Sequence, residues 1–227
     1  APVSGMKRFV RDNSLTLFFG IIFVAALIGQ SFAGLAAYND TQVAEGLLKI
    51  GYWRFVTSSN FAVDVAENWQ SEYLQFFLYI WATVWLIQRG SPESKQPGKE
   101  GKESDQEQKI GRFAEPGSPR WAAADGFRRV LFSHSLLIVM GSIFLLSWLA
   151  QSVTGTIAYN EEQLTSLEAP VSWIGYVFSA DFWNRTLQNW QSEFLAVGSM
   201  AALAIYLRER GSSESKKVGD PHHETGT

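Results

Sequence analysis

The sequence predicts an all-α membrane protein with four transmembrane helices, which form two parallel-repeat helical hairpins related by a pseudo-twofold axis along the membrane normal. Two long uncharged apolar runs, Leu15–Ala37 and Ser135–Ala158, predict the first and third helices. The pentapeptide NWQSE, at residues 68–72 and 189–193, precedes two shorter apolar runs that predict the second and fourth. An internal repeat without gaps relates the two hairpins to one another.

The first and third predicted spans satisfy the length that a bilayer requires. A helix needs about 20 mostly apolar residues to cross roughly 30 Å of hydrocarbon. Leu15–Ala37 contains no Asp, Glu, Lys or Arg, and Ser135–Ala158 likewise has only Gln151 as a strongly polar member. Because the first run is too long for the apolar region of a cleavable signal peptide, we expect it to remain as a signal anchor.

The second and fourth predicted spans begin as slightly short apolar runs, Tyr73–Gln88 and Phe194–Leu207. NWQSE immediately precedes each run and lengthens it into a helix that can cross the membrane. Residues suited to helix N-caps precede both segments, at Ser58, Asn60, Ser179 and Asp181. We therefore predict continuous helices over about residues 61–88 and 182–208.

The outer loop within each hairpin is too long to be a simple turn. In the first repeat, Thr41–Tyr52 places its apolar residues on roughly one side of a helix, so a surface-lying helix is predicted there. Aromatic residues of both loops, among them Trp53 and Trp173, are predicted to form a belt at the outer membrane interface.

The repeat organises the whole chain. Asn189 follows Asn68 by 121 residues (189 − 68), and the same offset pairs Gln30-Ser31 with Gln151-Ser152 and Tyr38-Asn39 with Tyr159-Asn160. Each unit crosses the membrane twice, so both copies start on the same side and the repeats are parallel. The predicted organisation is a first two-span repeat at residues 6–98, a flexible cytoplasmic linker at 99–124, a second two-span repeat at 125–219 and a disordered tail at 220–227.

Basic residues near the spans predict the orientation, because cytoplasmic loops retain Lys and Arg. Lys and Arg are frequent before the first span, between the second and third, and after the fourth. The loops within the hairpins hold only Lys49, Arg54 and Arg185. The N and C termini and the linker are therefore predicted to be cytoplasmic.

Polar side chains are predicted to form a layer in the outer leaflet. Counting about 20 residues back from Arg89 reaches Trp69, which places Glu72 at the hydrocarbon boundary. The predicted layer comprises Gln30, Ser31, Tyr38, Asn68, Glu72, Gln151, Ser152, Tyr159, Asn189 and Glu193, with Trp69 and Trp190 as interface anchors. The layer has two interpretations: contacts that fix helix register, or a site for a cation, a proton or a polar ligand.

Several classes of chemistry find no support in the sequence. The chain has no cysteine, which excludes disulfides, thiolate catalysis and Cys-ligated metals. It has no P-loop, zinc-protease or serine-hydrolase motif, and His134 pairs with Asn13 in the repeat, so no symmetric metal site is predicted. No catalytic residue, metal or cofactor is predicted, and the basic segments are explained by topology without nucleic acid as a partner.

The chain resembles a family of uncharacterised bacterial integral membrane proteins, a domain of unknown function with a duplicated two-span unit. The resemblance rests on Gln30-Ser31, Tyr38-Asn39 and NWQSE with their repeats, and it covers most of residues 6–218. It implies a multi-pass protein of the bacterial inner (cytoplasmic) membrane. It implies no activity and no catalytic residue.

Three functional hypotheses follow from these features. The first is a non-enzymatic structural or accessory membrane component, whose partners are the lipid bilayer and other membrane-protein subunits. The second is a small channel or transporter, or an ion- or polar-ligand-binding protein that uses the outer Glu and Gln residues, although the inner halves of the spans offer almost no polar lining. The third is a pigment- or quinone-associated subunit that uses Trp81 and Trp85, which the second copy replaces by Ala202 and Tyr206.

Overall fold

The computed structural model describes the backbone of residues 2–226 and the side chains of residues 5–226. The described part of the chain is helical and contains no strand, which confirms the predicted all-α class. Its elements are α1 (Pro2–Asp12), α2 (Ser14–Ala44), α3 (Tyr52–Val56), α4 (Ser59–Trp85), a 3-10 turn (Gly111–Phe113), α5 (Phe127–Ser133), α6 (Ser135–Thr165), α7 (Trp173–Val177) and α8 (Ala180–Leu203). These residues divide into a first compact unit that ends at Asp64 and a second that begins at Val65.

Helices α2 and α6 correspond to the first and third predicted spans. Each contains 31 residues, and both are long and apolar enough to cross a membrane. Only 6% of the most apolar window of α2 is buried, and only 17% of that of α6. Both windows are thus less buried than that of a core helix in a soluble domain would be.

Helices α4 and α8 correspond to the second and fourth predicted spans, with 27 and 24 residues. Both begin two residues earlier than predicted, because the hydroxyls of Ser58 and Ser179 accept hydrogen bonds from the N–H groups of Phe61 and Phe182. Among the described residues, two helices meet the criteria of length and apolar composition for a span, and α4 and α8 do not. The polar NWQSE segments lie within both helices and lower their hydropathy.

The predicted surface helix over Thr41–Tyr52 is wrong. Helix α2 continues to Ala44 and ends in a Schellman motif, in which the Leu47 N–H donates to the Gln42 carbonyl at 2.7 Å. Gly46 adopts a left-handed φ of 75° in this turn. The chain then runs without helix to the short α3, although the apolar pattern continues past Gly46 through Leu47, Leu48 and Ile50.

The helices of the two halves have matching bounds. Helices α6 and α7 begin and end 121 residues (135 − 14) after α2 and α3, and α8 begins 121 residues (180 − 59) after α4. The duplication seen in the sequence is thus repeated in the secondary structure. The pseudo-twofold axis, which is a spatial relation between the hairpins, stays a prediction.

The predicted linker and tail form turns with few regular elements. Lys95 Nζ donates to the Gly101 carbonyl at 2.9 Å and lies 3.1 Å from Glu103 Oε1. Near the C-terminus, Thr225 Oγ1 accepts from the Gly90 N–H at 2.8 Å. The flexibility of residues 99–124 and the disorder of the tail stay predictions, and Thr227 lies outside the described residues.

Candidate functional site

Each long helix is joined near its C-terminal end to the short helix or loop that follows, and we call these contacts the outer caps. In the first repeat, the Asn39 side chain forms two hydrogen bonds with the backbone of Ile50, at 3.0 and 2.8 Å. About two turns earlier, the Ser31 hydroxyl lies 3.0 Å from the Tyr52 hydroxyl. The loop backbone is therefore bonded back onto α2.

Aromatic packing completes the first outer cap. The Phe55 ring lies against Gly34, where an added Cβ would come within 2.9 Å of Phe55 Cζ. The Tyr38 and Phe61 rings lie 5.7 and 5.5 Å from the Phe55 ring, measured between centroids. A larger residue at this position would therefore have to displace the Phe55 ring.

The second outer cap repeats these contacts 121 residues later. The Asn160 side chain bonds the backbone of Val171 at 2.9 and 2.8 Å. Trp173 replaces the tyrosine and donates from Nε1 to Ser152 Oγ at 3.0 Å. An added Cβ at Gly155 would come within 2.6 Å of the Tyr176 hydroxyl. The cap is thus a local structure that both halves of the chain encode.

Tyr176 extends the second cap into a chain of polar contacts at the outer end of α8. Its hydroxyl donates to Asp181 Oδ2 at 3.1 Å, and burial together with the Asp181 charge raises the pKa of this phenol well above its usual value. Arg185 follows, with Nε 3.6 Å from Asp181 Oδ2 and a second guanidinium nitrogen 3.1 Å from Glu67 Oε2. Glu67 belongs to α4, so this series of polar contacts links α4 to α8.

The members of the predicted polar layer are used in different ways. Ser31, Tyr38, Ser152 and Tyr159 take part in the outer caps, Tyr159 through a ring contact of 5.4 Å with Tyr176. Gln30 is half-buried, whereas Gln151 is fully buried and donates to Thr186 Oγ1 at 3.3 Å. Within each unit these side chains thus have separate partners, and the layer as a whole stays a prediction.

The two NWQSE segments form helical turns whose serines bond their own helix. The carbonyls of Asn68 and Asn189 each accept from the serine hydroxyl three residues later, at 2.9 Å in both copies. Glu72 is exposed and Glu193 half-buried.

The two predicted interface anchors differ. The Trp69 side chain is 42% exposed, as an interfacial tryptophan would be. Trp190 instead donates from Nε1 to Gln70 Oε1 at 2.8 Å, across from α8 to α4. In the second unit, Trp190 is an interhelical contact.

Sequence reasoning missed the aromatic and amide cluster around Trp190. The Trp148 ring lies 5.8 Å from Trp190 and contacts further rings on α6 and α8, those of Phe144, Phe182 and Trp183. Three polar atoms of this cluster are buried without a hydrogen-bond partner: Gln70 Nε2, Trp148 Nε1 and Gln151 Oε1. The available signal was a departure from the repeat, because Trp148 and Thr186 correspond to Leu27 and Val65.

A metal site does not emerge from the described residues, which contain no group of three or more His, Cys, Asp or Glu side chains able to hold an ion. A protein-family model described as "Domain of unknown function (DUF6766)" matches residues 6–227. No curated protein and no solved structure gives a significant match to the chain. The expectation of an uncharacterised family is confirmed, while the bacterial source and the membrane location stay predictions.

Proposed function

The chain belongs to the family of this domain of unknown function, and we propose that it is a non-enzymatic integral protein of the bacterial inner membrane that acts as a structural or accessory component. The proposed topology has four spans, α2, α4, α6 and α8, as two hairpins related by a pseudo-twofold axis along the membrane normal. Both termini and the linker are cytoplasmic in this arrangement, and the outer caps lie on the opposite side.

The observation that carries the proposal is the apolar surface of α2 and α6. Leu15, Phe19 and Ile21 of α2 are 71, 60 and 69% exposed, and α6 exposes Leu145, Leu146 and Leu149 in the same way. Soluble monomers rarely expose apolar patches larger than a few hundred Å², because each Å² of apolar surface in water costs about 25 cal/mol. Lipid removes that cost.

The lengths of α4 and α8 support their assignment as spans. At about 1.5 Å per residue, helices of 27 and 24 residues extend roughly 36–40 Å, which exceeds the hydrocarbon thickness of about 30 Å. Most of their polar side chains lie in the outer half, where Glu67 pairs with Arg185 and Gln70 pairs with Trp190. The remainder exposes aromatic and aliphatic residues such as Phe76 and Leu195.

A structural role is supported by what the outer polar groups do. The Asn39, Asn160 and Arg185 side chains bond neighbouring backbone or carboxylates of the protein itself. Polar groups that are satisfied in this way fix helix and loop positions, as a component that holds other membrane proteins or lipid in place requires. A structural role of this kind does not require a catalytic nucleophile with an adjacent general base.

Labelling of single introduced cysteines tests the topology, since the chain has no cysteine of its own. In intact cells, an impermeant maleimide should label Leu48→Cys, and it should label Glu100→Cys only after the membrane is permeabilised. If α4 does not cross, residue 100 lies on the same side as residue 48 and both react in intact cells. That outcome would overturn the four-span proposal.

Extraction into native nanodiscs tests the accessory role. Mass spectrometry of proteins and lipids, together with an absorption spectrum, should reveal a stoichiometric membrane-protein partner and no chromophore. A lone colourless particle would contradict the accessory role, and a bound chromophore would favour the pigment or quinone hypothesis.

A second candidate is a cation or polar-ligand site at Glu72 and Glu193. It is favoured by the equivalent positions of these two carboxylates in the repeat and by the half-buried position of Glu193 on α8. Like charges in proximity are stabilised by a shared proton or cation. If Glu72→Gln and Glu193→Gln together leave thermal stability and its dependence on added Na⁺, K⁺ or Ca²⁺ unchanged, this candidate is wrong.

A further inference from the structure

Three buried polar atoms in the second unit have no hydrogen-bond partner among the described residues: Gln70 Nε2, Trp148 Nε1 and Gln151 Oε1. Gln70 and Gln151 are 0% exposed. Buried polar groups in native proteins are nearly always satisfied, by protein or by an ordered water. Three such atoms in one region therefore call for a common partner.

The three atoms belong to one connected cluster. Gln70 is held through its other amide atom, since Oε1 accepts from Trp190 Nε1 at 2.8 Å, and the Trp190 ring lies 5.8 Å from Trp148. Gln151 lies one helical turn from Trp148 on α6, and its Nε2 donates to Thr186 on α8 at 3.3 Å. Thr186 is in turn one turn from Trp190, so contacts among α4, α6 and α8 connect the residues that carry the three atoms.

The surroundings restrict the size of an occupant. Phe144 and Phe182 lie nearly parallel to the Trp148 ring, with centroids at 5.5 and 6.2 Å and interplanar angles of 21 and 20°. Trp183 and Trp190 approach the same indole at 6.1 and 5.8 Å. An occupant has to fit among four rings that already contact this indole, which favours a molecule as small as water over a ring-sized ligand.

The hydrogen-bonding pattern is that of one water molecule. Gln70 Nε2 and Trp148 Nε1 are donors, and Gln151 Oε1 is an acceptor. A water can accept from the first two and donate to the third, and buried waters typically form about three hydrogen bonds to groups that are otherwise unsatisfied.

The repeat indicates that this arrangement is specific to the second half of the chain. The first repeat has Leu27 in place of Trp148 and Val65 in place of Thr186, although it keeps Gln30 in place of Gln151. Gln191, the counterpart of Gln70, is exposed. The duplicated architecture therefore does not require the cluster.

We propose that α4, α6 and α8 enclose a hydration site, in which one long-lived water accepts hydrogen bonds from Gln70 and Trp148 and donates one to Gln151. This water connects three helices at a place where direct side-chain contacts leave donors and an acceptor unused. The proposal rests on these contacts and not on the function proposed above.

The test uses the full chain in nanodiscs with ¹⁵N-labelled tryptophan, whose nine indole groups give separate NMR signals. The Trp148→Phe substitution assigns the Trp148 signal. We expect a nuclear Overhauser cross-peak between the Trp148 indole proton and a water of long residence time. Trp173, whose Nε1 is bonded to Ser152, serves as the internal control and should lack this cross-peak.

Two variants that each remove one partner of the water should abolish the cross-peak: Gln70→Leu and Gln151→Leu. Thr186→Val, which introduces the residue of the first repeat, removes a neighbour of Gln151 but no partner of the water, and should retain the cross-peak. Unchanged signals of the indoles outside the cluster, those other than Trp148, Trp183 and Trp190, would establish that each variant is folded. Absence of the water cross-peak in the unsubstituted protein, or its replacement by a cross-peak to lipid, would overturn the proposal.

Discussion

At the scale of single residues, one equivalent turn in the two halves has a backbone position with a left-handed φ, and the residue type at that position differs. Gly46 has a φ of 75° in the turn that ends α2, and Leu167 has a φ of 61° in the equivalent turn after α6. Both turns are Schellman motifs, with N–H to carbonyl distances of 2.7 Å for Leu47 to Gln42 and 2.8 Å for Glu168 to Gln163. The left-handed region costs a non-glycine residue about 1–2 kcal/mol.

Leu167→Gly should therefore stabilise the protein. The Leu167 side chain is 95% exposed, so its removal costs little packing, and relief of the backbone strain should raise the free energy of unfolding by roughly 1 kcal/mol. Thermal unfolding in detergent measures the change. The matched control is Gly46→Leu, which should lower stability by a similar amount. A lower melting temperature for Leu167→Gly would contradict this account.

Tyr176 makes the stability depend on alkaline pH. Burial and Asp181 raise the pKa of this phenol in the folded protein above its ordinary value of 10.0. A group whose folded pKa is raised contributes stability that is complete below the unfolded pKa and is lost as pH rises toward the folded pKa. Folding then disfavours the phenolate, so stability should fall above about pH 10.

Tyr176→Phe should weaken this alkaline loss of stability. Phe55 occupies the same place in the first cap, so phenylalanine fits the site. Near pH 7 the variant should lose about 1 kcal/mol for the hydrogen bond to Asp181. The melting temperature, followed from pH 7 to 11, should fall less steeply in the variant than in the unsubstituted protein. If the melting temperatures of the two proteins fall equally steeply with pH, Tyr176 is not the cause of the alkaline loss of stability.

At the scale of elements, the outer caps hold a loop on each long helix. In the second cap, the Asn160 side chain satisfies both the N–H and the carbonyl of Val171. A side-chain amide that bonds both the N–H and the carbonyl of one loop residue attaches the loop to the helix. The same pairing of Asn39 with Ile50 makes the cap a property of the repeat.

Asn160→Ala should release the loop before α7. Two buried or half-buried hydrogen bonds are lost, and the expected destabilisation is about 1–3 kcal/mol. Limited proteolysis should cut near Val171 faster in the variant. Thr154→Ala is the control, because the Thr154 hydroxyl bonds only the Ala150 carbonyl of its own helix. Equal cleavage rates in Asn160→Ala and Thr154→Ala would argue against a holding role.

At the scale of the whole molecule, side chains make contacts across the boundary between the two sequence repeats. The part of α4 in the second unit belongs to the first repeat, yet Glu67 pairs with Arg185 and Gln70 with Trp190 on α8. Helices of different repeats are thus joined by side-chain contacts. The linker between α4 and α5 has an exposed turn at Gly117, with a φ of 99°.

Cleavage of the linker should therefore leave the two fragments together. A protease site inserted after Gly117 and cut in a mild detergent should give two fragments that co-elute in size-exclusion chromatography. Combining Glu67→Ala with Gln70→Leu should promote their separation, because both named contacts are lost. Fragments that separate without these substitutions would mean that the linker, and not packing, holds the halves together.

The sequence alone determined the helical class, the starts of the four long helices to within two residues, and the 121-residue repeat. It offered Ser58 and Ser179 among the candidate N-caps, whereas the ends of the long helices differ from the predicted ones by three to seven residues. These features depend on apolar runs and on contacts within about one helical turn, which are local in the chain. The sequence did not reveal the end of α2 at Gly46, because the apolar pattern continues past the glycine. Only the tertiary structure decided that Trp190 bonds Gln70 and that Arg185 bonds Glu67. It also decided that Trp148 and Gln151 bring unused polar atoms together. Such pairs lie far apart in sequence and depend on how the helices pack, which periodicity within one helix does not encode.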